Sequence, residues 1–126
     1  MNHKKFKFTK DHEWLNLQED IATVGITDYA QSQLGDIVFV EMPQVSTNIA
    51  ASESFGAIEA VKTVADLFAP VSGEVIEIND NLDSNPDLVN SDPYVKGWIV
   101  KLKIDKNDEI NELMNYDEYQ EFTLDN

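Results

Sequence analysis

The sequence predicts a mainly β fold, a small sandwich or flattened barrel carrying a short internal helix and a helical tail. Short runs of alternating apolar and polar residues recur along most of the chain, the most regular running from Trp98 to Ile104. Only one early segment, Asp28 to Leu34, has both the start and the stop signals of a helix. From Asn107 onward the apolar spacing changes to three and four, the helical period. Many short strands followed by helix fit a sandwich or barrel with an added tail.

The elements follow in order. Phe6 and Phe8 alternate with lysines, and Leu15 and Leu17 with Asn16 and Gln18, which predicts two short strands turning near Lys10 and Asp11. Ile21 to Ile26 is a third strand. Asp28 to Leu34 is the helix, with Thr27 or Asp28 as cap and Gly35 at its exit. Asp36 to Met42 returns to strand, dense enough in apolar residues to predict burial on both faces, and Pro43 closes it. Gln44 to Ser52 reads as a connection.

Ser54 to Ala60 and Thr63 to Ala69 are alternating runs that predict a hairpin, at about 53–70, with Val61 and Lys62 at its tip. The alternation sets Phe55, Ala57 and Glu59 on one side and Gly56, Ile58 and Ala60 on the other. Pro70 ends the second arm because it has no amide to donate. Ser72 and Gly73 turn into a strand from Glu74 to Ile78. Asn79 to Pro93 reads as a long loop with a helical turn near Pro86 to Val89. Trp98, Val100, Leu102 and Ile104 then share one face of a central strand. The tail predicts two short helices broken around Asn115.

A length of 126 residues suits one core, so 1–126 is read as a single domain. The net charge of −15 opposes binding to nucleic acid or to an anionic membrane and predicts partners with basic docking surfaces. Absence of cysteine excludes a disulfide framework, a thiol nucleophile and a thiolate metal site. The opening residues lack the pattern of a signal or transit peptide, and no window approaches a membrane span, so the expectation is a cytoplasmic protein or one already processed. His3 and His12 are far apart and make a weak metal-ligand set. The glycines follow no phosphate-loop spacing, and no nucleophile with a base and an orienting group is visible.

What stands out is Lys62, the only lysine between Lys10 and Lys96, in a chain with no arginine. Held on a hairpin tip and bracketed by Glu53, Glu59 and Asp66, its ammonium is offered outward, not tuned down as a buried catalytic amine would be. The segment EAVKTVADLFAPVSGEV around it resembles the lipoylation segment of the glycine cleavage H-protein family. HEW at His12 to Trp14, the run from Ile21 to Glu41, and LVNSDPYVKGWIVKLK from Leu88 to Lys103 are similar to further blocks of that family.

The resemblance implies a barrel-sandwich hybrid of the lipoyl-domain kind, with lipoate in amide linkage to Lys62. It implies a non-catalytic carrier that receives an aminomethyl group from a pyridoxal-phosphate glycine decarboxylase and delivers it to a folate-dependent aminomethyltransferase. A flavin dihydrolipoyl dehydrogenase then reoxidises the dithiol, and a lipoate ligase or a lipoyl or octanoyl transferase installs the group. By motif position Glu13 and Asp66 would lie near a cleft for the loaded arm, and Glu59 would contribute to recognition by the lipoylating enzyme. Phe68 stands where the family often has Tyr, and is read as packing the hairpin's base. A monomer is the expected state. Ala60 stands where the family usually has Ser, and the linker before Glu53 lacks the family's glycines, though the acceptor lysine is kept. Rival readings are an unmodified acidic interaction module and a member that mainly relays lipoyl groups to other enzymes. A biotin carrier would have methionines beside the lysine, and a dehydrogenase lipoyl domain Asp-Lys-Ala. Here the neighbours are Val61 and Thr63.

Overall fold

The computed structural model describes residues 3–104 and 108–124. Among these residues nine strands form two antiparallel sheets: β1 (Lys7–Phe8), β2 (Glu13–Gln18), β3 (Ile21–Ile26), β4 (Ile37–Glu41), β5 (Asn48–Ile49), β6 (Ser54–Ala60), β7 (Val64–Phe68), β8 (Gly73–Ile78) and β9 (Val100–Ile104). The larger sheet has the order β1-β2-β3-β9-β8-β5, the smaller β4-β6-β7. Helices α1 (Asp28–Leu34), α2 (Asn81–Ser84), α3 (Leu88–Ser91) and α4 (Tyr116–Leu124) join or follow them. The result is a barrel-sandwich hybrid, as expected.

One apolar core lies between the sheets, with Leu15, Val24, Ile58, Leu67, Val75 and Leu102 almost wholly removed from water. A second, aromatic cluster of Phe6, Phe8, Trp14 and Tyr119 binds α4 to the β1–β2 end of the larger sheet. Phe8 stacks on Tyr119 at 4.8 Å, and paired backbone bonds between Phe8 and Met114, of 2.8 and 2.9 Å, lock the tail beside β1. The central position expected for the last strand is observed, since β9 pairs with both β3 and β8.

Helix α1 has the predicted bounds, and its cap is Thr27, whose Oγ1 accepts the Ala30 N–H at 3.1 Å. Asp28 instead accepts from the Gln31 side chain. Gly35 closes the helix with φ 80° and ψ −155°, a region that essentially only glycine occupies. In the tail the break falls at Asn115, where Asn115 and Glu118 exchange backbone-to-side-chain bonds of 2.9 Å as a capping box. The segment before it, Asp108–Glu112, is a 3-10 turn, and Asn107 lies outside the described residues.

Several expectations are corrected. β4 is not buried on both faces: Ile37 and Val40 face the core while Val38 and Phe39 are 55% and 45% exposed. It is an edge strand, and a register shift between Ile37 and Phe39 breaks its alternation. In β6 a shift between Ser54 and Gly56 likewise moves Phe55 into the core with Ile58 and Ala60, against the simple alternation. Trp98 does not share the β9 face. Ile99 is fully buried instead, and Trp98 is half-buried against the aromatic cluster with the Lys101 ammonium 5.0 Å from its ring. The connection from Gln44 contains β5, which pairs with β8, and the loop after Asn79 holds two helical turns.

Gly25 and Gly56 are among the glycines required by space. A Cβ on Gly25 would fall 2.7 Å from the Trp14 indole, whose Nε1–H donates to the Pro93 carbonyl at 3.0 Å. A Cβ on Gly56 would lie 2.2 Å from the Glu41 carbonyl oxygen, a backbone atom that cannot swing aside. Gly56→Ala is therefore expected to destabilise the chain by about 2 kcal/mol or more in urea unfolding, through loosening of the β4–β6 pair. An unchanged midpoint would contradict this packing.

Candidate functional site

The hairpin of β6 and β7 lacks a glycine or asparagine at its tip, so its geometry depends on ties from outside the turn. Ala60 N–H donates to the Thr63 carbonyl at 2.8 Å, closing the tip. Val61 N–H donates at 3.0 Å to the Asp36 carbonyl, at the entry to β4. Lys62 is exposed between these anchors, beside Val61 and Val64, which are 70% and 60% exposed. Among the described residues Lys62 makes no salt bridge, the ion pair being Lys101 with Glu77. Its amine is neither sealed in the core nor held by a carboxylate.

Glu59 is exposed and takes its place in a row across the smaller sheet, opposite Phe39 on β4 and Val64 on β7. Asp66 is exposed on β7, opposite Ala57. It meets Glu13 at a cleft of about 330 Å³, whose apolar walls include Ile26, Leu34, Ile58 and Leu67. The structure thus brings Glu13 and Asp66 to one cleft and leaves Glu59 on the outer face of the hairpin. Phe68 is half-buried at the root of the hairpin, outside the two apolar clusters. Its amide has a different use.

Glu13 is 2% exposed. The Thr9 hydroxyl donates to its Oε1 at 2.6 Å and the Phe68 N–H to its Oε2 at 3.3 Å, so the carboxyl spans from β2 to the root of the lysine hairpin. Burial pushes its pKa up to about 8; the bonds from Thr9 and Phe68 pull it back down, and Asp11 adds to the rise. At neutral pH the carboxyl is mainly protonated, and a cation brought beside it would favour release of that proton.

Sequence reasoning weighed His12 only as a metal ligand and passed over Tyr29 and Tyr119. His12 and Tyr29 line the same cleft, and His12 Nδ1 lies 2.8 Å from the Tyr119 hydroxyl, which is 2.7 Å from Thr27 Oγ1. Burial lowers the pKa of His12, with Asp11 opposing, and raises that of Tyr119 to about 12, with the Thr27 hydrogen bond opposing. The contact joins residues 107 positions apart, which no local pattern announces.

Comparison with known proteins places these features in context. The family model described as Glycine cleavage H-protein matches residues 6–126. The chain is 49% identical over 118 residues to the glycine cleavage system H protein of Staphylococcus carnosus, covering 94% of each chain. It is 58% identical over 115 residues to that of Chlorobaculum parvum, covering 90% of each. The crystal structure of a glycine cleavage system H protein from Mycobacterium marinum superposes with a TM-score of 0.89 at 35% identity, over 95% of this chain and 97% of the other.

The raised pKa of Glu13 makes stability depend on pH. Because the folded chain holds this proton more tightly than the unfolded chain, stability is fully present below the ordinary carboxylate pKa of 4.5 and is lost as pH rises through about 8. The loss is at most about 1.4 kcal/mol per pH unit within that window. In urea titrations between pH 4.5 and 9, Glu13→Gln is expected to show a flatter profile than the parent. Parallel profiles would mean that Glu13 ionises normally.

Proposed function

The chain belongs to the glycine cleavage H-protein family, and from that premise we propose that it is the lipoyl carrier of a glycine cleavage system with Lys62 as its attachment point. The observation that carries this is the Lys62 amine, exposed and, among the described residues, unpaired, on a hairpin tied at its tip to Asp36 and at its root to Glu13. Acylating such a lysine removes a solvated charge and breaks no ion pair. The residues fit the group: the cleft offers aliphatic walls for an apolar arm and two acids for an amine at its end. When bound, lipoate supplies the dithiol redox and nucleophilic chemistry that a chain without cysteine cannot supply itself.

The protein's own residues position and shelter. The anchored tip fixes the root of the arm, so that a docked partner meets its far end at high effective concentration. Glu13, buried and mainly protonated, releases its proton to solvent when an ammonium is seated against it, and Asp66 supplies a second, solvated acceptor. The stabilisation the cation loses with its hydration is thereby replaced inside the cleft. Glu59, on the exposed face beside the tip, is the side chain available to the lipoylating ligase or transferase. In this reading the whole of 1–126 is one carrier domain and the chain acts as a monomer in the cytoplasm. Its partners are glycine decarboxylase, the aminomethyltransferase and dihydrolipoyl dehydrogenase, which meet an acidic surface of net charge −15.

Intact mass after expression with a lipoylating system tests the assignment. A single lipoyl increment, lost in Lys62→Arg, is expected, and Glu59→Gln should acquire it several-fold more slowly without loss of stability. An unmodified parent under those conditions would favour a plain interaction module.

A further inference from the structure

Building on the carrier reading, we propose that His12 is a binding residue of the cleft, donating Nε2–H from a neutral imidazole to a sulfur acceptor seated there, and that Tyr119 is the positioning residue that fixes its tautomer. The direction of each proton follows from burial. Thr27 is fully buried, and its Oγ1 has two neighbours, the Ala30 N–H at 3.1 Å and the Tyr119 hydroxyl at 2.7 Å. The Ala30 amide can only donate, so the buried Thr27 hydrogen finds its acceptor in the Tyr119 oxygen. Tyr119 has one hydrogen left to give, and His12 Nδ1 stands 2.8 Å away. An accepting Nδ1 is unprotonated, which leaves the proton of the neutral ring on Nε2.

That proton is unspent. Among the described residues the His12 ring makes no other hydrogen bond, and no buried side-chain nitrogen or oxygen lacks a partner, so Nε2 is open and not sealed away. The backbone is shaped to put it there. His12 has φ 68°, a left-handed conformation uncommon for a side-chain-bearing residue, held by Thr27 N–H donating to the His12 carbonyl at 3.0 Å and His12 N–H to the Thr9 carbonyl at 3.1 Å. Outside the strand alternation, His12 lines the same cleft as its neighbour Glu13. The rings of Tyr29 and Phe122 lie 4.7 and 5.8 Å from the imidazole.

Two consecutive residues thus offer complementary groups, a carboxyl for an ammonium and an N–H for a lone pair. A dithiol bearing an aminomethyl group on one sulfur presents both, the amine and the sulfur left free. Tail helix α4, remote from the lysine in sequence, becomes part of the site through Tyr119.

Imidazole ¹⁵N shifts of the labelled chain test the relay without any lipoyl group. The parent is expected to show Nδ1 unprotonated and Nε2 protonated at neutral pH. Tyr119→Phe, which keeps the ring stacked on Phe8, should give a mixture of tautomers, and Thr27→Ser, which keeps the hydroxyl, should retain the parent signature. An Nδ1–H tautomer in the parent would overturn the proposal. For the cleft contact, the lipoylated chain is reduced and treated with formaldehyde and an ammonium salt. One thiol, formaldehyde and ammonia combine to an aminomethyl thioether and water, with a C–S and a C–N bond formed and no net redox change. Loading is expected to shift the His12 Nε2–H resonance and slow its exchange with water several-fold, less so in Tyr119→Phe, while the extent of lipoylation is the same in both. A loaded chain, verified by mass, with unmoved His12 resonances would overturn the His12 contact and leave Lys62 as carrier intact; a chain that takes no lipoyl group would overturn the carrier reading and the His12 contact built on it.

Discussion

A carboxyl group buried between β2 and the root of a hairpin is the constraint to which the rest of this structure answers. Removing Glu13 from water is costly unless its oxygens find donors, and the fold provides them from two directions, the Thr9 hydroxyl within its own turn and the Phe68 amide from the other sheet. The clasp ties the start of β2 to β7 and so fixes where the lysine-bearing hairpin leaves the body. It also leaves a protonated acid facing a cleft with aliphatic walls. A group that is expensive to bury and inexpensive to ionise in the presence of a cation suits transient shelter of an amine.

The hairpin complements that arrangement by being firm where the cleft is responsive. Its tip residues have no intrinsic turn preference, and the bond from Val61 to Asp36 replaces the glycine or asparagine that a free-standing hairpin would need. Edge strand β4 contributes Phe39 to an exposed row with Glu59 and Val64, just behind Lys62. The slim, small-residue arms follow from close approach of backbones, most tightly at Gly56 against the Glu41 carbonyl.

Much of this was legible along the chain because it depends on local pattern. Periods of two and of three to four, the Thr27 and Gly35 boundaries of α1, and the proline after the hairpin are short-range effects, and the structure has them where they were expected. Two of the errors share a cause. Bulges in β4 and β6 shift side chains by one position, and a bulge is decided by what the partner strand demands, so Phe39 is exposed where apolar density predicted burial and Phe55 is buried against the simple alternation. Trp98 was displaced for a similar reason, since the aromatic cluster and the Lys101 ammonium competed for it with the β9 face.

The sequence by itself determined the fold class and the identity of the exposed lysine, because both are written in contiguous residues whose spacing and surroundings are sufficient. It marked Glu13 and Asp66 as cleft residues only through their place in motifs. Tertiary structure alone decided that the two acids share a cleft, that Glu13 is buried and mainly protonated, and that Tyr119 reaches His12 and Thr27. Desolvation and hydrogen-bond direction depend on neighbours brought from distant parts of the chain, and no local period carries that information.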